Sequence, residues 1–217
     1  MKSKFNYFGY FYELFLGEYT VKCRSVLEIV RVGKELNKES GVEAVVIMMN
    51  PGGSEPKGKD RSYTVERIDV ENFVMDFDYG KLVQTIPDVT QSRITTIMDY
   101  KGWNHVRILN LSDIREKKNG NLSKKIREFE QRNLSMVHSI FSPQRKEERV
   151  KFLGEGVPVI LAWGTLPCTK KYIERCLLEL KENGMNWVGI PSSQGEWYYH
   201  HPLTTQLSWC SEMKKIL

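Results

Sequence analysis

The sequence predicts an α/β fold, a three-layer α/β/α arrangement around a mostly parallel central four-stranded sheet. Three observations predict it. Short, continuous runs of Val, Ile and Leu recur along the chain, the pattern of strands buried on both faces. Between them lie stretches whose apolar residues fall at helical spacing. The alternation of strand, helix and strand then argues for parallel strands joined by crossover helices that cover both faces of the sheet.

Ala44 to Met49 is the first core strand, closed by the turn sequence Asn50-Pro51-Gly52-Gly53. Val106 to Leu111 is the second, Val157 to Trp163 the third, stopped at Gly164, and Trp187 to Ile190 a short fourth. Helices are expected over Ser92 to Tyr100, Leu122 to Ser139 and Lys170 to Glu182. In the last, Ile173, Leu177 and Leu180 share a face, and Asn183-Gly184 supplies a stop. Phe5 to Glu35 is aromatic and then amphipathic, and reads as a helix or as a hairpin packed on the sheet edge. Gly53 to Thr64, rich in Gly, Ser, Lys and Pro, reads as a loop above the strand ends. At 217 residues one domain is expected over 1–217, with 1–40 as an N-terminal extension packed on a catalytic core of 41–217.

Hydrophobic residues at 41% and charged residues at 27% fit an ordinary globular chain. The four cysteines form no C-x-x-C pair, and His105, His138, His200 and His201 are scattered or adjacent, so no metal and no cofactor is expected. Neither G-x-x-x-x-G-K-[ST] nor G-x-G-x-x-G occurs, which argues against a standard nucleotide-binding enzyme. Met1 to Leu16 is interrupted by charge and glycine, unlike a signal peptide, and no run of about 18 apolar residues is present. A cytoplasmic monomer with reduced thiols and no membrane association is the expectation. A net charge of +5 points weakly toward a polyanionic partner. Within Arg115 to Arg127, Lys117, Lys118, Lys124 and Lys125 surround the Asn119-Gly120-Asn121 turn, either as a solvated face or as a nucleic-acid contact.

Four segments fall at or just beyond the carboxyl ends of the predicted strands, where open α/β sheets bind ligands. They are Met49-Asn50-Pro51-Gly52, Leu109-Asn110-Leu111, Ala162-Trp163-Gly164 and, after the fourth strand, His201-Pro202-Leu203. Each alone is ordinary: Asn-Pro-Gly is turn chemistry and Trp-Gly can simply pack and turn. Together and in this order they resemble the uracil-DNA glycosylase superfamily. That family carries a water-positioning motif, a base-reading Asn on a strand, a Trp-Gly strand end and a His-Pro motif. The first segment is similar to its Gly-Met-Asn-Pro-Gly form, with Met48 in place of the first Gly. The set also resembles a bacterial and phage domain family of unassigned function, over about Ala44 to Leu203. Leu203 departs from the usual His-Pro-Ser, and the cysteine set of the iron-sulphur branches is missing.

The resemblance implies a monofunctional DNA glycosylase that hydrolyses the bond between a flipped-out base and deoxyribose, leaving an abasic site. Asn50 then holds the attacking water through its amide oxygen, orienting it without deprotonating it. His201 donates a hydrogen bond to the charge developing on a pyrimidine O2, with His200 the less favoured neighbour. Asn110 reads the polar edge of the base, and Tyr63 is a candidate for stacking on it. Where the uracil-specific branch has tyrosine, Gly52 and Gly53 leave space for a group at C5, which points to a modified pyrimidine. Lys57, Lys59, Gly164, Thr165 and Leu203 are the expected DNA contacts, Leu203 or Leu207 as a wedge; single- and double-stranded DNA both remain open. Trp197, Tyr198 and Tyr199 either line the pocket or pack. Without the family pattern, Asn50 and the glycines read as turn formers, Asn110 as a buried strand-end amide and His201 as a loop residue.

Two rival readings stay open. One is a hydrolase of a free nucleoside or nucleotide at the same strand ends, which needs fewer dispersed cations. The other is a nucleic-acid-binding relative without catalysis. The expected biological role is repair, or antiviral defence against modified phage DNA.

Overall fold

The computed structural model describes residues 3–37, 39–58, 65–133, 135–154, 156–204 and 208–217. The chain begins with a long antiparallel hairpin of β1 (Phe5–Leu16) and β2 (Tyr19–Arg31), which turns at Gly17-Glu18. β3 (Ala44–Met48) follows, then the short strands β4 (Glu66–Asp69) and β5 (Val83–Gln84), both paired with β1. Helix α1 (Val89–Lys101) leads into β6 (His105–Asn110), and α2 (Asn119–Asn133) and α3 (Lys146–Leu153) lead into β7 (Val159–Leu161). Helix α4 (Lys170–Glu182), β8 (Trp187–Val188) and α5 (Trp209–Ile216) complete the chain.

Among the described residues these strands form one eight-stranded sheet in the order β4-β1-β2-β6-β3-β7-β8, with β5 also on β1. The block β6-β3-β7-β8 is parallel throughout and consists of the four strands read from the sequence. The four-stranded expectation is nevertheless too small. The hairpin is hydrogen-bonded into the sheet, β2 running antiparallel to β6 with Leu27 opposite Ile108 and Ile29 opposite Val106. The physical reason is that β2 is covered on both faces, so it shows no simple alternation and holds the buried charges of Arg24 and Glu28 within its apolar run. β4 and β5 are too short and too polar to leave a pattern.

Alternation along the central strands feeds two cores. Val45 and Ile47 of β3, Leu109 of β6, and Val159 and Leu161 of β7 pack with α2, α3 and α4. Ala44, Val46, Met48, Val106, Ile108 and Ile160 point the other way, against α1 and α5. Helices therefore lie on both faces of a mostly parallel sheet. Helix α4 has the bounds its periodicity predicts, burying Tyr172, Ile173, Cys176 and Leu180. Helix α2 stops short of the expected Ser139, because His138 and Ser139 turn into the core, where Ser112 Oγ meets His138 Nδ1 at 3.0 Å.

Helix α1 begins with a capping box. The Asp88 carboxylate accepts from Gln91 N at 2.9 Å, and the Gln91 side chain accepts from Asp88 N at 3.2 Å. This fixes the start of α1 beside the carboxyl end of β3. Among the described residues no helix is long and apolar enough to cross a membrane, and no cluster of three His, Cys, Asp or Glu is placed to hold a metal ion.

Candidate active site

A cavity of about 860 Å³ opens at the carboxyl ends of β3 and β7, within the size range of small-molecule sites. Its walls come from places far apart in sequence, among them the turn after β3, the lead into α1, the loop after β7 and the segment 200–204, with Arg24 of β2 and Ile108 of β6. The candidates Asn50, Gly52, Gly164, Thr165, His201 and Leu203 all line it.

Asn50 is held in one orientation. Its Nδ2 donates to Ile114 O at 3.1 Å and to Glu116 O at 2.8 Å. Carbonyl oxygens only accept, so the amide nitrogen must face them and Oδ1 is the end left to act as an acceptor. The strand ends are clamped in the same place by Leu111 N to Met48 O and Ser112 N to Met49 O. The chain then turns at Gly52, whose φ of +60° suits glycine, and a Cβ there would meet no atom of the described residues within 4 Å. Gly53 differs: a Cβ on it would lie 1.8 Å from Lys117 Cε, so the Lys117 stem fills the space above Gly53. Among the described residues the Gly52 side is open and the Gly53 side is filled.

His201 is placed by the strand end beneath it. Trp163 is fully buried, donates from Nε1 to Trp197 O at 3.0 Å and meets the Tyr199 ring edge-on at 5.5 Å. Gly164, at φ +79°, donates to Tyr199 O at 2.8 Å and lets His201 approach, a Cβ on it being 3.6 Å from His201 Cβ. His200 N donates to Ile190 O, and Trp209 Nε1 donates to His200 O. His201 Nδ1 accepts from Leu203 N at 3.2 Å. In the neutral ring this leaves the proton on Nε2, a hydrogen-bond donor.

Burial pushes the His201 pKa down from 6.5 to about 4, with Asp88 opposing the shift. The folded pKa lies below the unfolded one, so this contribution to stability is complete above pH 6.5. It is lost as the pH falls toward about 4, where the unfolded chain takes up a proton that the folded chain resists. The contribution amounts to at most about 3 kcal/mol. The loss of melting temperature between pH 7 and pH 4 is therefore expected to be smaller in His201→Gln than in the wild type; equal losses would show that the imidazole carries no such shift.

Asn110 is buried, and neither its Nδ2 nor its Oδ1 has a partner among the described residues. It is the register partner of Met48, so its side chain points to the sheet face on which Met48 and Ile108 line the cavity, although Asn110 itself does not reach the wall. Leu203 is 46% exposed at the rim. Lys57 is exposed and lies in a separate groove with Phe8, Phe11 and Lys22. Lys59, Tyr63 and Leu207 lie outside the described residues. Tyr198 and Tyr199 pack against the core and Trp197 is exposed; none of the three lines the cavity.

Lys117 of the basic stretch lines the cavity, as do Arg24, Ser54 and Asp88, which reading the sequence missed. The signal for Arg24 was a charge inside an apolar strand run; the others lie in loops and carried none. A smaller hollow of about 410 Å³ shares Gly52, Gly53, Glu55, Glu116 and Lys117 with the cavity and adds Lys22, Arg115 and Lys125, extending a path richer in cations than in carboxylates away from its mouth. Lys125 is paired with Glu116 at 2.8 Å. Ser112, His138 and Glu130 form a chain that looks like a nucleophile, base and acid. Ser112 and His138 are fully buried, however, and the group ties β6 to α2 and α4.

A family model described as Protein of unknown function (DUF1643) matches residues 81–203, more than half of the chain. The match spans β6, β7 and β8 and contains Asn110, Gly164, Thr165, His201 and Leu203, while Arg24 and Asn50 precede it. A family of unassigned function is what the motif set suggested. No curated protein and no solved structure matches the chain.

Proposed function

The chain belongs to the DUF1643 family, and we propose that it hydrolyses an N-glycosidic bond in DNA, releasing a flipped-out base through a uracil-DNA glycosylase-like site. The observation that carries this reading is the meeting of Asn50 and His201 in one cavity, the first with a fixed acceptor and the second as a neutral Nε2 donor.

In the proposed reaction the bond from C1′ to the base nitrogen breaks first, and its electron pair leaves with the base. Positive charge gathers on the sugar and negative charge on the base oxygen. His201 Nε2 donates a hydrogen bond to that oxygen, which counts most where the charge is greatest. A low pKa suits this role, because the neutral ring donates without surrendering its proton. Asn50 Oδ1 accepts from the water that adds to C1′. An amide is too weak a base to take the proton, and an oxocarbenium-like sugar needs only a positioned water. The added water gives up a proton to the solvent, and the released base takes one up at the nitrogen that left. Asn110, buried behind the wall formed by Met48 and Ile108 with both amide atoms unsatisfied among the described residues, supports a ligand-reading role for a base that enters past them. The open side at Gly52 supports a base enlarged at C5, and the basic path through Lys117, Lys22 and Arg115 supports a DNA strand.

Incubation of the protein with duplex and single-stranded DNA carrying uracil, thymine mismatches or C5-modified cytosines, scored for abasic sites and free base, tests the reading. Release of at least one base is expected. Release of uracil alone would remove the enlarged-base part, and no release from any substrate would remove the glycosylase.

A further inference from the structure

Arg24 differs from the other deeply buried arginines. It is 2% exposed on β2 and lines the cavity, yet its Nε and Nη1 have no hydrogen-bond partner among the described residues. Arg107 and Arg145, equally buried, are ion-paired with Glu28 at 2.7 Å and with Asp113 at 2.6 Å. A buried guanidinium is ordinarily paired, because the desolvation of the charge is otherwise unrepaid.

The charged groups that act on Arg24 are Asp88, Asp113 and Arg115. Asp88 caps α1, and Asp113 is bound to Arg145. Burial lowers the Arg24 pKa to about 10, so it keeps its charge at neutral pH. The fold also makes room for it: a Cβ on Gly9 would lie 3.2 Å from Arg24 Cδ and 2.9 Å from Phe11 Cε2. Ser54, another wall residue, is 5% exposed and its Oγ has no partner among the described residues either.

We propose that Arg24, with Ser54 in the same wall, binds an oxyanion on the part of the substrate that enters the cavity, a phosphate or a carboxylate. The fork of guanidinium donors matches either group. A phosphate of the outer DNA backbone follows the surface and does not reach a side chain this deep. The anion therefore belongs to the nucleotide drawn into the cavity, or to an acidic substituent on its base. This deepens the glycosylase reading and rests on it for the identity of the rest of the ligand.

The test uses the full chain and measures binding by calorimetry and melting temperature, independently of base release. The probes are inorganic phosphate, acetate, 2′-deoxynucleosides and their 5′-monophosphates. At least one monophosphate is expected to bind about 10- to 100-fold tighter than its nucleoside, with the ratio falling to about one in Arg24→Met. Stabilisation by acetate and not by phosphate, again lost in Arg24→Met, assigns the anion to a carboxylate on the base. Arg24→Met itself is expected to melt about 2 °C or more above the wild type without ligand, since it removes an unpaired buried charge. Arg24→Lys, which keeps the charge without the fork, is expected to bind with intermediate affinity. Three results would overturn the proposal: no anion preference in the wild type, unchanged anion binding in Arg24→Met, or Arg24→Met melting below the wild type. Anion binding without base release from DNA would remove the glycosylase and leave the Arg24 site standing.

Discussion

His201→Ala is expected to slow base release by about 10²- to 10³-fold, the usual cost of losing one preorganised donor to a developing oxyanion. The ring is oriented through Nδ1 and through the backbone that carries it. Leu203 N donates to Nδ1 at 3.2 Å, and the strand end at Trp163 and Gly164 fixes the segment that carries it. Nothing need reorganise as charge develops, which is what makes such a donor effective. The loss should fall on the single-turnover rate with substrate affinity nearly unchanged, since the bond strengthens only in the transition state. The pH profile sharpens the test. An ordinary histidine would give an inflection near pH 6.5, whereas His201, pushed down to about 4, should give a rate that stays level from pH 8 to about pH 5. A rate that survives His201→Ala would transfer the donor role to another group and remove the central element of the mechanism.

The parts of this arrangement legible in the sequence are those fixed by local pattern. β3 and β7 are buried on both faces, so each reads as a continuous apolar run, and the chain must turn where the run ends. On local pattern alone Asn50 and His201 read as a turn former and a loop residue; they were singled out by the order of the four motifs and the family they resemble. Arg24 was not, because its place depends on β2 lying beside β6, more than 80 residues later, and on Gly9 leaving space. The orientation of Asn50 was equally hidden. It is set by the backbone carbonyls of Ile114 and Glu116, and a carbonyl carries no residue identity. The hairpin escaped assignment for the opposite reason: with Tyr10, Tyr12 and Leu14 buried beside Phe11, β1 is apolar on both faces and matches helix and strand periodicities equally well.

Arg145→Met is expected to destabilise the fold by about 3–5 kcal/mol, the usual cost of breaking a buried ion pair from one side. Arg145 is fully buried, and its guanidinium is saturated. Nη1 donates to Asp113 Oδ2 at 2.6 Å, Nε and Nη2 bind the two Glu148 oxygens at 2.7 and 2.8 Å, and Nη2 also reaches Ser25 Oγ at 3.0 Å. Removing it strands two carboxylates, one of them the fully buried Asp113. At about 2–4 °C per kcal/mol for a chain of this size, the melting temperature should fall by roughly 10 °C. Arg145→Met combined with Asp113→Asn and Glu148→Gln should recover part of that loss, because the stranded charges are then gone. The consequence extends to the site. Asp113 O accepts from Arg24 N at 2.9 Å, and the segment that follows Asp113 supplies both carbonyls that hold Asn50. Arg145 thus anchors the chain on which the orientation of Asn50 depends, and the triple variant should regain stability more fully than it regains the rate of base release. Recovery of both to the same degree would show that the network supports the fold alone.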